Sequence, residues 1–202
     1  MNGHDRRAAF TREAIKDSML ELLKDTPFNY ITVASLCREA KVGRATFYTH
    51  YQGLTDVLDE LAEDAIGATA PSRADGLAGI PTLAKMMRST TDPAALEPYM
   101  DMLPVCQRVA DNPKYRVLFR DDFASEYIIM RVYRDQKAKT VKKVAKEYGI
   151  SEEQADKLFL MTIIGAFAVN RSMGWKKDKA WYEVQKVLLT FLEGGYEALR
   201  RL

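Results

Sequence analysis

The chain has 202 residues, of which 47% are hydrophobic and 29% charged, a composition typical of a soluble globular protein with one or two domains. Thirty Lys and Arg against 28 Asp and Glu leave a formal net charge of +2, so any anionic partner must be met by a local patch. Two cysteines cannot form a disulfide framework, and together with only two histidines they do not make a plausible four-ligand zinc site within one chain. We expect no metal and no cofactor.

Two further absences bear on localisation. The first ten residues lack the apolar stretch of a secretory signal. The longest apolar run, 158–169, is well short of the ~20 residues that span a bilayer. We therefore expect a cytoplasmic protein without a membrane partner.

Helical spacing of apolar residues predominates from end to end, so the sequence predicts an all-α fold. The first helix is expected to follow Thr11 as its N-cap and to end before Pro27. Two short helices are predicted next, one after Thr32 and one from Arg44 to about Tyr51, separated by a break of three residues. A fourth helix is predicted from residue 54, and we place the domain boundary inside it, giving domains 1–60 and 61–202.

The remaining helices are predicted at about 80–90, 94–110 and 114–147, the last with a break near Asp121. Gly149 then supplies a stop, and Ser151 with Gln154 forms a capping box for a helix that runs to about residue 171. A final helix is predicted over 179–202.

The two short helices with their tight turn have the geometry of a helix-turn-helix, whose second helix enters the DNA major groove. Phe47 and Tyr51 are four residues apart and share a face, which we expect to point toward the core. The outward side chains then offer a guanidinium for a guanine edge and several polar groups for phosphates. These candidate DNA-binding residues are Arg44, Ala45, Thr46, Tyr48, Thr49 and His50. The same pattern also fits a helical hairpin that has no partner.

Over residues 11–65 the sequence resembles the tetracycline-repressor (TetR) family of bacterial transcriptional regulators. The resemblance is carried by the stretches 31–33, 36–42 and 44–51. It implies an N-terminal three-helix DNA-binding domain, a C-terminal helical domain for ligand binding and dimerisation, and no enzymatic activity. By this resemblance the protein is a homodimeric repressor that binds an inverted-repeat operator and responds to a small-molecule effector.

The resemblance also implies roles for single residues. Thr32 matches a position that caps the second helix and contacts phosphate, and Arg44 with Ala45 matches positions that meet base edges. Thr46 matches a contact to phosphate or base, and Tyr48 with His50 matches contacts to the DNA backbone.

Three positions depart from the family pattern. Lys41 replaces a common turn Gly and is expected to adopt an uncommon backbone conformation. Gly43 replaces the usual Ser or Thr cap, and Leu54 replaces a phosphate-contacting Lys. The amino-terminal arm, with Arg6, Arg7 and Arg12, is a candidate to compensate for the missing phosphate contact, although a solvated disordered tail is an equal alternative.

Two sets of residues belong to the C-terminal part. Apolar stripes on the last two helices predict a four-helix dimer interface, with burial inside one subunit as the alternative. The interface candidates are Leu158, Ile164, Ala168, Trp181, Leu188 and Phe191. Methionines and aromatic residues suit either an adaptable effector pocket or an ordinary core. The pocket candidates are Met86, Met100, Met102, Phe123, Tyr127 and Met130.

One rival function from a different class stays open, that of a helical small-molecule-binding protein without a DNA function. An enzyme is disfavoured because histidine is scarce and the sequence has neither a phosphate-binding glycine loop nor a Glu-x-x-His metal pattern.

Overall fold

The computed structural model describes residues 3–68, 80–89 and 93–201, and these residues form an all-α fold, as predicted. Within these ranges there is no β-strand, and the α-helices are α1 (Gly3–Leu22), α2 (Val33–Glu39), α3 (Arg44–His50), α4 (Leu54–Gly67), α5 (Ile80–Ser89), α6 (Val105–Asp111), α7 (Asp122–Tyr148), α8 (Glu152–Ser172) and α9 (Lys179–Leu199). The described residues also form 3-10 helices at Phe28–Tyr30, Pro93–Met102 and Arg116–Phe119.

The first helix begins earlier than predicted. α1 starts at Gly3, so the expectation that Thr11 is its N-cap is wrong. The Thr11 hydroxyl instead donates to the Arg7 carbonyl oxygen, one turn earlier in the same helix, at 3.0 Å. A Thr inside a helix has this bond to the preceding turn available, so a hydroxyl residue before an apolar stripe does not by itself mark a helix start.

The residue contacts divide the chain into two compact units. The first unit consists of Met1–Ala68 and Asn112–Ile128, and the second of Thr69–Asp111 and Ile129–Leu202. The boundary predicted at residue 60 falls inside α4. The buried stripe of this helix continues past that position through Leu61 and Ala65. α4 lies in the first unit, whereas α7 contributes residues to both units.

The first unit has a core built from α1 to α4. α1 packs against α2, α3 and α4. Large side chains without solvent exposure fill the space between these helices, and they are Ile15, Met19, Leu36, Phe47, Val57 and Leu58. Burying each such side chain contributes about 1.5–3 kcal/mol of transfer free energy, so this core fixes the orientation of α3.

The second unit is built around the packing of α5 along α9. Trp181 is 1% exposed and donates its indole N–H to Oδ1 of the buried Asn170 at 2.6 Å. The predicted capping box of α8 is confirmed, since Ser151 N donates to Gln154 Oε1 at 2.9 Å and Gln154 N to Ser151 Oγ at 3.1 Å. Gly149, with φ 68°, ends α7 as predicted.

Membrane-spanning helices and metal-binding clusters are both absent from the described ranges. None of their helices combines the length and apolarity needed to cross a membrane. Among the same residues, no group of three or more His, Cys, Asp and Glu side chains is placed to hold a metal ion.

Candidate nucleic-acid interface

Thr32 begins the helix-turn-helix by capping α2. Its Oγ1 accepts from Ser35 N at 3.0 Å, and Ser35 Oγ accepts from Thr32 N at 2.9 Å, which makes a reciprocal capping box. These bonds satisfy backbone N–H groups that the first turn of a helix leaves without partners. The capping role expected for Thr32 is confirmed, and the residue is exposed at the surface.

The turn between α2 and α3 depends on Lys41. This residue has φ 54°, in the left-handed region that glycine adopts more readily, so the uncommon conformation expected there is confirmed. Lys41 N donates to Arg38 O at 3.2 Å and Val42 N to Cys37 O at 3.0 Å. This pair of bonds is a Schellman motif, which ends α2 and reverses the chain toward α3.

α3 has one buried and one exposed side. Phe47 and Tyr51 are 0% and 4% exposed, so their predicted core positions are confirmed. The candidate contacts Arg44, Ala45, Thr46, Tyr48 and Thr49 are exposed, and His50 is half-buried. The exposed side therefore carries a guanidinium, a phenol and hydroxyl groups around one small residue.

A charged cluster holds the end of α3 against α1 and α4. The Tyr51 hydroxyl donates to Glu60 Oε2 at 2.5 Å, and Arg12 donates to the same carboxylate from Nε at 3.1 Å and from Nη2 at 2.9 Å. The Arg12 guanidinium also lies 5.7 Å from the centre of the Tyr51 ring. Tyr51 is the C-cap of α3, so the cluster fixes the orientation of the exposed side.

The pKa of Glu60 reflects this cluster. Partial burial favours the neutral carboxyl, but the hydrogen bonds from Arg12 and Tyr51 and the charge of Lys16 outweigh it and lower the pKa. Burial and the hydrogen bond to Glu60 raise the pKa of the Tyr51 hydroxyl. Glu60 is therefore the anionic centre, and Tyr51 is its neutral donor.

Sequence reasoning missed this cluster, although a signal was present. Arg12 and Lys16 are four apart on α1, and Glu60 and Asp64 are four apart on α4. Residues at this spacing share a helix face, so two cationic positions could have been matched with two acidic ones. Lys16 is 3% exposed and pairs with Asp64, and with Glu60 at 3.5 Å.

The same contacts correct the expectation for Arg12. This residue lies within α1 rather than in a free arm, and Glu60 engages its guanidinium through two nitrogens. Arg12 therefore helps to hold α3 on its inner side, through the Glu60 carboxylate that also binds Tyr51. Moving Arg12 to a phosphate would leave the Glu60 carboxylate without this partner. Arg6 and Arg7 are exposed on α1.

Asp121 anchors the segment that precedes α2. Its buried carboxylate accepts from Phe28 N and from Ala124 N, both at 2.8 Å, and so joins the 3-10 helix before α2 to the first turn of α7. Phe123 stacks on Phe28 with ring centres 4.9 Å apart, and the Tyr127 hydroxyl donates to Asp59 at 3.0 Å.

These contacts correct the predicted effector pocket. Phe123 and Tyr127 belong to the first unit and do not line the cavity of about 560 Å³ in the second unit. Met102 lines that cavity, whereas Met86 and Met130 do not. The Met100 side chain lies outside the described residues. Closeness in sequence does not place these aromatic residues and methionines in one pocket, because α7 distributes its residues between two units.

The dimer stripe predicted on α9 does not coincide with the exposed face of this helix. Trp181 is buried in its own subunit, and Leu188 is half-buried, as are Leu158 and Ile164 on α8. Phe191, in contrast, is 70% exposed. The exposed apolar and small residues of the two helices include Met161, Gly165 and Ala168 on α8, and Val187, Phe191, Gly194 and Ala198 on α9.

Comparison with known proteins gives one solved structure. No protein-family model matches the chain, and no curated protein is similar to it. The structure of the dihydroxyacetone kinase operon activator DhaS is similar over 89% of this chain and 94% of its own, with 17% identity and a TM-score of 0.37. A similarity at this level identifies neither a family nor a function.

Proposed function

We propose that this protein is a TetR-type transcriptional regulator that binds an inverted-repeat DNA operator as a homodimer, acts as a repressor and responds to a small molecule. One observation carries the proposal: a capped helix, a Schellman turn and a second helix whose outward residues are Arg44, Ala45, Thr46, Tyr48 and Thr49. A rigid pair of short helices with an exposed polar recognition face is what a helix-turn-helix needs for the major groove.

The exposed side chains of α3 suit different parts of a duplex. Arg44 has the paired N–H groups that recognise O6 and N7 of guanine, and Ala45 beside it allows the helix close approach to the bases. Thr46 and Tyr48 bear hydroxyl groups suited to phosphate oxygens, and the exposed cap residue Thr32 offers a further one. We assign base recognition to Arg44 and positioning to the hydroxyl groups.

The homodimer is supported by the exposed apolar faces of α8 and α9. Val187 is 68% and Phe191 70% exposed, and they are four apart on one face of α9. Gly165 and Gly194 lie inside helices, and a Cβ at either position would meet nothing within 4 Å in its own subunit. Glycine costs about 1 kcal/mol relative to alanine in a helix interior, so close approach by the partner's helices accounts for both residues.

We infer that α7 links the effector site to the DNA-binding unit. Its residues from Ile129 onward belong to the second unit, where Val132 and Gln136 line the cavity. Its first residues belong to the first unit, where Asp121 and Phe123 hold Phe28 just ahead of α2. An effector that favours one conformation of α7 would change the spacing of the two recognition helices, which must be about 34–36 Å to contact two half-sites.

Selection of bound duplexes from a random DNA pool tests DNA binding. The wild-type protein is expected to enrich an inverted repeat, and Arg44→Ala is expected to lose preference at the base that Arg44 contacts, with about 1–3 kcal/mol of discrimination. Tyr48→Phe, which removes only the hydroxyl group, is expected to weaken binding to all sequences alike. Arg120→Ala is the charge-matched control, because Arg120 is exposed in the first unit outside the helix-turn-helix.

Two outcomes would contradict the assignment. Absence of any enriched sequence at low salt would favour the rival function of a small-molecule-binding protein, which the cavity of about 560 Å³ supports on its own. An enriched sequence with equal losses in Arg44→Ala and Arg120→Ala would mean that affinity depends on net charge rather than on α3.

The dimer has a test that leaves the subunit intact. Gly194→Leu fills space that is open in one subunit, so helicity is expected to persist while the dimer dissociation constant rises at least 100-fold in sedimentation equilibrium. Gly67→Leu is the matched control, because Gly67 is also an open helical glycine but lies in α4. Unchanged dimerisation in Gly194→Leu would exclude this face as the interface.

A further inference from the structure

The cavity of the second unit is enclosed mainly by apolar side chains. It has a volume of about 560 Å³, within the range of pockets that hold small organic ligands. Its walls include Leu103 from the segment before α6, Val132 from α7, Phe159 from α8 and Leu189 from α9. Met161 and Phe191, both exposed, also line it, so the cavity opens on the α8 and α9 face.

Two glutamines in this apolar lining have unpartnered amide atoms. Gln107 on α6 is 2% exposed and Gln185 on α9 is 5% exposed. Gln107 Oε1 and Gln185 Nε2 have no hydrogen-bond partner among the described residues. Burying a polar atom without a partner is unfavourable, so two such atoms beside one cavity mark a place where a ligand supplies the missing partners.

We propose that this cavity binds a neutral, largely apolar small molecule that carries a hydrogen-bond donor and an acceptor, paired with Gln107 Oε1 and Gln185 Nε2. The inference rests on the proposed function in that this molecule would be the effector. A ligand bound to both amides ties α6 to α9. A hydrocarbon of the same shape fills the same space but leaves both amide atoms unpaired, so the site rejects it.

The positions of the charges favour a neutral ligand. Asp135, Lys139, Lys143 and Glu147 line the cavity from exposed positions on α7, where water screens their charges. Arg108 also lines the cavity and is half-buried; its Nε donates to Leu103 O at 3.0 Å, and burial lowers its pKa while the charge of Asp101 partly offsets this. The buried part of the lining is otherwise mainly hydrocarbon, as at Leu103, Phe159 and Leu189, so a neutral ligand suits the two amides.

Four naphthalenes of similar shape test the ligand chemistry. Naphthalene-2-carboxamide has a donor and an acceptor, 2-acetylnaphthalene an acceptor only, 2-isopropylnaphthalene neither, and naphthalene-2-carboxylate a negative charge. Binding of each to the full-length protein is measured by isothermal titration calorimetry without DNA. The carboxamide is expected to bind at least tenfold more tightly than the isopropyl compound and more tightly than the carboxylate.

Variants tie this discrimination to the two amides. Gln107→Leu and Gln185→Leu are each expected to reduce the preference for the carboxamide over the isopropyl compound, because each replaces one of the two amides by hydrocarbon of similar size. The double variant is expected to bind the two compounds equally. Both single variants are also expected to unfold at the same or a higher temperature than the wild type when no ligand is present. Gln136→Leu is the control, since Gln136 lines the same cavity from a half-buried position and is expected to leave the discrimination intact.

The outcomes separate this inference from the proposed function. Four results overturn the inference: no binding of any probe, equal binding of all four, tightest binding of the carboxylate, or discrimination that survives undiminished in the two Leu variants and in the double variant. Discrimination that depends on both glutamines supports it, even if no DNA sequence is enriched by the protein. If DNA selection succeeds and the probes fail, DNA binding stands without this ligand class.

Discussion

The two units differ in how they treat buried polar groups. In the first unit, Lys16 is paired with carboxylates, and Asp121 accepts two backbone N–H groups. In the second unit, the described residues leave one amide atom of Gln107 and one of Gln185 without a partner. An unsatisfied buried polar atom costs about 1–3 kcal/mol, so these two amide atoms carry a cost that Lys16 and Asp121 do not.

On the proposed function, this difference corresponds to where each unit would meet its partner. In the first unit, Lys16 and Asp121 are paired inside, and polar side chains lie on the outer side of α3. On the proposed function, DNA is therefore bound at the surface of this unit. The second unit keeps a cavity and unpaired amides inside and apolar side chains such as Phe191 outside. The proposed ligand-responsive regulator needs two parts. One is a unit with an external contact surface, and the other is a unit with an internal site.

The largest expected effect separates the inner and outer sides of α3. Phe47→Ala is expected to lower the free energy of unfolding by about 3–5 kcal/mol, because the side chain is 0% exposed and its removal leaves a cavity. Tyr48→Ala, at the next position and 58% exposed, is expected to change it by less than about 0.5 kcal/mol while weakening DNA binding. Urea denaturation of the full chain measures both. Equal destabilisation by the two changes would contradict the assignment of inner and outer sides.

A second prediction compares a paired with an unpaired buried group. Asp121→Ala is expected to cost about 2–3 kcal/mol, because Phe28 N and Ala124 N lose a charged acceptor. Gln185→Leu in the second unit is expected to cost less than Asp121→Ala, since the Nε2 of Gln185 has no partner to lose among the described residues. Asp122→Ala is the control for losing a negative charge at the start of α7, since Asp122 is exposed. Similar losses in Asp121→Ala and Gln185→Leu would remove the distinction between the units.

Acid tests the paired carboxylate of the second unit. Asp156 accepts hydrogen bonds from Tyr133 and, at 3.0 Å, from Lys137, and these contacts lower its pKa from 3.8 to about 2. A carboxylate whose pKa is lower in the folded than in the unfolded state stabilises the folded protein at pH values above its unfolded-state pKa. This contribution is lost as the pH falls through the folded-state pKa. The stability difference between wild type and Asp156→Asn is therefore expected to stay constant from pH 7 to about 5 and to shrink between about pH 4 and 2.

Glu60 gives the matching measurement in the first unit. Its pKa is also lowered, so the deficit of Glu60→Gln is expected to shrink in acid with the same sign. Thermal unfolding across this pH range measures both variants. A deficit of Asp156→Asn that persists at pH 2 would mean that the variant destabilises the chain by disturbing its packing rather than by removing a charge.

The all-α fold and the inner side of α3 could be predicted because both follow from local spacing. Phe47 and Tyr51 share a face wherever a helix forms, and Ser151 with Gln154 caps a helix through bonds three residues apart. The start of α1 could not be predicted from Thr11, because a threonine hydroxyl forms hydrogen bonds inside a helix as readily as at its first residue.

The parts that sequence missed depend on contacts between distant residues. Phe28 and Asp121 are 93 positions apart, and no local pattern connects them. The predicted dimer stripe of α9 includes a buried residue because Trp181 and Phe191 are both large and apolar in sequence. Only packing against α5 and Asn170 shows that Trp181 turns inward. The unpaired amides of Gln107 and Gln185 carry no sequence signal, since glutamine is ordinarily exposed.

The smallest expected effect concerns the turn on which the first unit's contact surface depends. Lys41 has φ 54°, and a residue with a Cβ pays about 1–2 kcal/mol there, a cost that glycine avoids in exchange for greater loss of chain entropy. Lys41→Gly is therefore expected to raise the free energy of unfolding by about 0.5–1 kcal/mol. Lys41→Ala, which removes the charge but keeps the Cβ, is expected to change it by less than about 0.5 kcal/mol. If alanine stabilised as much as glycine, the gain would come from removing the lysine charge, and the turn would carry no backbone strain.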